Sequence, residues 1–225
     1  MERPVLLPFR HPSTILIAGP TGSGKTEFLV KLLTQQGLEP FPERIIWIYS
    51  EWQDAYERIR KRLTEVKKKL EFVKDFDDSL YDSLDRRVRN LVVLDDQMEN
   101  HDMHRNGGSG LAKFFTQGSH HRNLTIVYIV QNLFHQSRSM RTISLNSHYV
   151  VLFKNPRDKL QIRNLAMQMY PTNAEFLVRA YEDATKVPYG YLVIDLRPET
   201  MDDLRVRSNI FDVTAQCVYK PCEKS

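Results

Sequence analysis

The residues whose types and spacing most directly specify chemistry are Gly19-Pro20-Thr21-Gly22-Ser23-Gly24-Lys25-Thr26. Glycines at three of these positions let the backbone curl until successive N–H groups converge on one anion. Lys25 is spaced to reach the β- and γ-phosphates of a nucleoside triphosphate, and the Thr26 hydroxyl to bind Mg2+. An apolar run, Thr14-Ile15-Leu16-Ile17-Ala18, comes before the loop and reads as a buried strand. Phe28, Leu29, Leu32 and Leu33 come after it at the spacing of an amphipathic helix. A glycine-rich loop between strand and helix is the setting a Walker A motif requires, and the helix start near Lys25 adds the positive end of its dipole. The competing reading is a glycine-rich turn that holds no ligand.

Two more constellations follow apolar runs. Leu91-Val92-Val93-Leu94 leads into Asp95-Asp96, the Walker B pattern. There Asp95 would hold Mg2+ through water, and Asp96 would orient and deprotonate the attacking water. Leu124 to Val130 leads into Gln131-Asn132, where a neutral amide can bond both the γ-phosphate and the attacking water and so sense which nucleotide is bound. An ordinary polar turn is the alternative for each pair. Arg122 precedes the strand that ends at Gln131, so it belongs to the amino end of the sheet, away from its own nucleotide. In a ring it would serve the next subunit as an arginine finger supplied in trans; Arg141 and Arg157 are rivals for that role. His120 and His121 have no third ligand at metal-binding spacing and read as packing or surface residues.

These groups need a scaffold that brings strand ends together. Further strands are expected at Arg44–Tyr49, Tyr149–Phe153 and Tyr189–Leu196. Helices are expected across the charge-dense stretch Glu51–Lys74, within Asp75–Arg89, from Leu111 to His120, after Asn155-Pro156 to about Met169, and from Pro171-Thr172 to Ala184. Strands alternating with helical stretches predict a central, mainly parallel sheet flanked by helices, with ligands at the carboxyl ends of the strands. Residues 1–225 read as one domain: an extended lead-in over 1–12 that lies against a neighbour, a core over 13–169, and a helix, strand and tail over 170–225.

Composition sets the class. The chain of 225 residues is 41% hydrophobic and 27% charged, as in soluble globular proteins. Its net charge of +4 and pI near 9.0 are compatible with a polyanionic partner. The run holding Arg58, Arg60, Lys61, Arg62 and Lys67-Lys68-Lys69 is either a solvated helix face or a contact for nucleic acid, as is the flexible loop Asn106–Gly110. No secretory signal is visible at Met1-Glu2-Arg3-Pro4, and the apolar stretch Ile126–Val130 is too short to span a bilayer, so no membrane partner is expected. Cys217 and Cys222 lack a second ligand pair and read as free thiols in a reducing compartment.

Taken together the motifs resemble the FtsK–HerA superfamily of P-loop ATPases, and within it the viral genome-packaging ATPases of the poxvirus and Polinton/Maverick type. The resemblance rests on GPTGSGKT, LVVLDD, GSHHRNLTIVYIVQNLFHQ and RTISLNSHYVVLFKNPRD, and it covers Ser13 to Met169 and then the tail through Asn209-Ile210-Phe211. Gly118 to Asp158 is the more specific part and points to an adintovirus-like group. The resemblance implies a RecA-like, additional-strand, catalytic-acid P-loop fold with the sensor strand between the Walker A and Walker B strands. Many members carry Glu where this chain has Asp96, one methylene shorter.

The function implied is an ATP-driven motor that moves double-stranded DNA into a preformed capsid, hydrolysing ATP at the subunit interfaces of a homo-oligomeric ring. Its cofactors are ATP and Mg2+, and its partners are DNA, copies of itself, and capsid portal or vertex proteins. It is expected in the nucleus or cytoplasm of an infected host cell and transiently at the virion vertex. No nuclease-like cluster of acids follows the core, unlike large terminases, which suggests packaging of unit-length genomes. Rival readings are a ring helicase or non-viral DNA pump, a small-molecule kinase with an arginine-rich lid, which Asn155 to Arg163 could mimic, and an assembly protein gated by nucleotide without fast turnover.

Overall fold

The computed structural model describes residues 7–65, 69–75, 80, 83–95, 123–133 and 143–221. Its frame is a nine-stranded sheet in the order β11-β10-β9-β8-β2-β7-β6-β4-β5. The strands nearest the cradle are β2 (Thr14–Ala18), β7 (Leu124–Val130), β6 (Asn90–Asp95) and β8 (Tyr149–Phe153). β4 (Arg44–Tyr49) and β5 (Lys69–Lys74) extend the sheet on one side. These six run parallel. β9 (Tyr191–Asp195), β10 (Val206–Ser208) and β11 (Cys217–Tyr219) extend the other side, each antiparallel to its neighbour. A second sheet pairs β1 (Phe9–Arg10) with β3 (Leu38–Glu39).

Helices cover both faces. α1 (Lys25–Thr34) and α2 (Asp54–Glu65) lie on one face, and α3 (Leu160–Met169) and α4 (Ala174–Ala184) on the other. The period-two alternation of each strand assigns its side chains. Ile15, Ile17, Trp47, Val93, Val127 and Ile129 pack under Phe28, Leu29, Tyr56 and Leu63 of the first helix pair. Leu16, Ala18, Ile48, Leu94, Ile126 and Tyr128 pack over Ile162, Leu165, Leu177 and Tyr181 of the second. With both faces buried, β2, β6, β7 and β8 read as unbroken apolar runs, which is why their positions are legible in the sequence. Arg62 of α2 donates to both carboxylate oxygens of Glu27 of α1, at 2.8 and 2.9 Å, tying the first helix pair together.

Two expectations are corrected. The helix expected over Glu51–Lys74 ends at Glu65, and Lys69–Lys74 is a strand paired with β4 from Arg44↔Lys69 to Tyr49↔Lys74. As an edge strand it keeps Lys69, Glu71 and Lys74 exposed, so its composition resembles that of a solvated helix. The described part of the lead-in packs on its own chain: β1 pairs with β3, and the Phe9 ring is fully buried and stacked on Tyr149 at 4.3 Å. The strand after Pro188 is followed by two more, β10 and β11, which join the same sheet.

Candidate nucleotide site

The sheet order brings the three motif-bearing strands side by side, with the sensor strand β7 between β2 and β6. Register aligns their ends, since Ala18 lies opposite Val130, and Asp95 opposite Ile129. The additional-strand arrangement that the resemblance implies is therefore present.

The cradle is built locally. Gly22 and Gly24 take left-handed φ values of +77° and +106°, which a side chain would strain. The Ser23 N–H closes a turn onto the Pro20 carbonyl at 3.2 Å, and the Gly19 N–H donates to Val130 at 3.2 Å, fixing the loop to the sensor strand. A Cβ on Gly19 would stand 2.6 Å from Cβ of Phe153, so the loop can pass β8 only as glycine. α1 begins at Lys25 with Gly24 as its N-cap and no side chain capping it, leaving the first-turn N–H groups directed at the loop. Lys25 Nζ donates to the carbonyls of Gly19 and Pro20 at 2.6 and 3.0 Å, spanning the cradle mouth. The Ser23 hydroxyl is buried without a hydrogen-bond partner. An orphaned hydroxyl inside a ring of converging donors suits a phosphate oxygen.

Asp95 closes β6 on the face that α1 and α2 cover and is 6% exposed. Its Oδ2 accepts hydrogen bonds from Trp47 Nε1 at 3.3 Å and from the Tyr56 hydroxyl at 3.1 Å. These two donors restrain the orientation of that oxygen. The hydroxyl of Thr26 and the carboxylate of Asp95 are hard oxygen donors of the kind Mg2+ takes, so these residues fit the expected metal. Trp47 and Tyr56 were not singled out by motif. Their sequence signal is weak: two aromatic residues with polar hydrogens on the face that carries the acid.

Gln131 is exposed at the carboxyl end of β7 and lines a small cavity with Gly19, Asn155 and Gln161. Beside it, Asn132 Oδ1 accepts from Asn155 Nδ2 at 3.3 Å and from Gln161 Nε2 at 3.5 Å, and the Leu133 N–H donates to Gln161 Oε1 at 2.9 Å. Gln161 Nε2 also donates to Asp158 Oδ2 at 2.6 Å. The Asn155 N–H donates to the Tyr181 hydroxyl at 2.9 Å, which donates to the Phe153 carbonyl at 3.0 Å. The sensor turn is thereby hydrogen-bonded to the β8–α3 loop and on to α4, a set of contacts that no motif announces.

Asp96 and Arg122 lie outside the described residues, as do Arg141, His120, His121, Lys67, Lys68 and the loop 106–110. Arg157, the remaining rival finger, is exposed in the β8–α3 loop. In the basic run, Arg60 sits over the rings of Trp52 and Phe72 at 5.4 and 5.2 Å, and Arg62 is paired with Glu27. Both therefore serve the fold, while Arg58 and Lys61 are exposed on α2.

The chain matches no protein-family model, and no curated protein matches it by sequence. Solved structures do match. The genome packaging NTPase B204 of Sulfolobus turreted icosahedral virus 2, in complex with ATP-gammaS, superposes with a TM-score of 0.54 at 13% identity over 93% of this chain and 98% of that one. Its complex with AMPPCP gives the same values. The DNA-packaging ATPase B204 of Sulfolobus turreted icosahedral virus gives a TM-score of 0.55 at 13% identity over 94% of this chain and 98% of that one. At that identity the likeness is one of fold: a P-loop α/β architecture with a large central sheet flanked by helices.

Proposed function

We propose that the chain is an ATP-driven motor that moves double-stranded viral DNA into a preformed capsid, hydrolysing ATP between the subunits of a homo-oligomeric ring. The observation that carries this reading is the phosphate cradle of Gly19–Thr26 at the end of β2 and Asp95 at the end of β6, on the two strands that flank β7, within a fold shared along nearly its whole length with viral genome-packaging NTPases. The Polinton-like, poxvirus-type assignment is the finer part of the proposal and rests on the motif resemblance.

The residues have separate tasks. The N–H groups of the loop and of the first turn of α1 hold the β-phosphate, while Lys25 leaves the carbonyls of Gly19 and Pro20 for the bridging and γ-oxygens. Thr26, and Asp95 through water, would hold Mg2+, which would supply charge neutralisation at the phosphates. Asp96 aligns and deprotonates water, Gln131 senses the γ-phosphate, and Arg122 of a neighbouring copy completes the site. An arginine finger is worth ~10³–10⁵ in rate, so an isolated subunit is nearly idle. None of the described helices is long and apolar enough to cross a membrane.

The test is ATP hydrolysis measured with and without duplex DNA, against oligomer size. Hydrolysis should rise on DNA addition and track the assembled fraction, and Lys25→Ala should abolish it. An enzyme equally active as a monomer and indifferent to DNA would refute the motor, and unchanged turnover in Lys25→Ala would refute the site.

A further inference from the structure

The cradle opens on two sides, and their linings differ. One opening, along Pro20, Thr21 and Gly22, is rimmed by Lys154 and Lys186 and suits the phosphate end of a ligand. The other is an open pocket of about 650 Å3 that runs from Gly24 along Glu27 and Lys31 of α1. Its apolar floor is an aromatic group: Phe28 lies 4.7 Å from Tyr191 and 5.0 Å from Phe211, and Phe153 adjoins.

Tyr189 stands where the two openings meet. Its ring edge packs against Gly24, as a Cβ on that glycine would lie 3.3 Å from Tyr189 Cδ1. Yet Tyr189 is 72% exposed, with left-handed φ of +62°. Asn209, which also lines this pocket, is left-handed too, with φ of +52°, and is exposed. A bulky side chain held at left-handed φ beside a pocket is backbone strain of the kind found at ligand sites, and Tyr189 is that residue, whereas asparagine enters this region readily. The tail that presents Asn209 is pinned from below. Ile210 is buried, Phe211 packs on Phe28 at 5.0 Å, and Gln216 Nε2 donates to the Ile210 carbonyl at 3.1 Å.

We infer that this pocket is the nucleobase subsite, with Tyr189 stacking on adenine and the Asn209 amide pairing with the amino edge of the base. The inference rests on the reading of Gly19–Thr26 as a triphosphate cradle and extends it to the C-terminal strands. A flat aromatic face beside the α-phosphate end of the cradle supplies stacking, and a primary amide offers the donor and acceptor that adenine's N6 and N7 require.

The experiment compares binding of ATP, GTP and inorganic tripolyphosphate by calorimetry. Tyr189→Asn keeps a residue at ease in left-handed backbone but removes the ring, Tyr189→Phe keeps the ring, and Asn209→Gly keeps the backbone but removes the amide. Tyr189→Asn should weaken ATP about tenfold or more, with tripolyphosphate unchanged, and Tyr189→Phe should bind ATP as the parent does. Asn209→Gly should narrow the preference for ATP over GTP. Parent-like ATP binding by Tyr189→Asn, or an equal loss of tripolyphosphate, overturns the stacking role, and an unchanged ATP-to-GTP ratio in Asn209→Gly overturns the reading role. Failure of the parent protein to bind even tripolyphosphate would instead take down the cradle and this inference with it.

Discussion

The acid that ends β6 is held by aromatic residues. Asp95 takes hydrogen bonds from Trp47 of β4 and Tyr56 of α2, both buried where that helix packs on the sheet. A carboxylate that must present one oxygen to a hydrated cation benefits from having the other restrained, since less is lost to reorientation on binding. Removing the Tyr56 hydroxyl should therefore cost little stability and more function. Tyr56→Phe is expected to lower stability by about 1 kcal/mol, within the range for one hydrogen bond. It should also raise the Mg2+ concentration needed for half-maximal ATP hydrolysis, and an Mg2+ titration at saturating ATP checks this. A half-saturation point equal to the parent's would mean that the hydroxyl merely fills space.

At the level of elements, the parts legible in the sequence are those with a local signature. The glycine loop, the apolar runs of β2, β6, β7 and β8, and the periodic face of α1 each declare themselves within about ten residues. β5 does not, because an edge strand covered on alternate side chains and studded with lysine shares its composition with a solvated helix. β10 and β11 are three residues each, too short for any periodicity to show, and Tyr189 and Asn209 meet the cradle only because antiparallel strands fold the tail back to it. The segment before β2 is similar, since its role depends on distant partners. His11 bonds Thr125 Oγ1 at 2.7 Å and Asn123 Oδ1 at 3.0 Å, fastening the lead-in to the amino end of β7. Burial, the main cause, holds the His11 pKa below its usual 6.5. The unfolded chain then binds the proton more readily than the folded one. The neutral ring's contribution is complete above pH 6.5 and declines as pH falls through 6.5 toward the lowered folded value. The melting temperature should therefore drop on acidification from about pH 7 to pH 5.5 by more in the parent than in His11→Gln.

For the molecule as a whole, the sheet places Gln131 and the phosphate cradle at one end of β7, while Arg122 precedes that strand in sequence. The proposed ring assigns Arg122 to a neighbour's nucleotide. Mixing Arg122→Ala subunits with Asp96→Asn subunits should accordingly restore part of the ATPase activity that each lacks alone, since some interfaces in a mixed ring carry both intact groups. Absence of rescue with oligomers intact would assign the finger to Arg141 or Arg157, or to a role within one subunit. The aromatic grip on Asp95 has an optical corollary. The chain has only two tryptophans: Trp47, fully buried with its indole N–H on the acid, and Trp52, 42% exposed under Arg60. Their surroundings separate their emission, blue for the buried ring and red for the solvated one, so the unlabelled protein carries a fluorophore bonded to the carboxylate proposed to hold Mg2+ and a second, outward-facing one to serve as its reference.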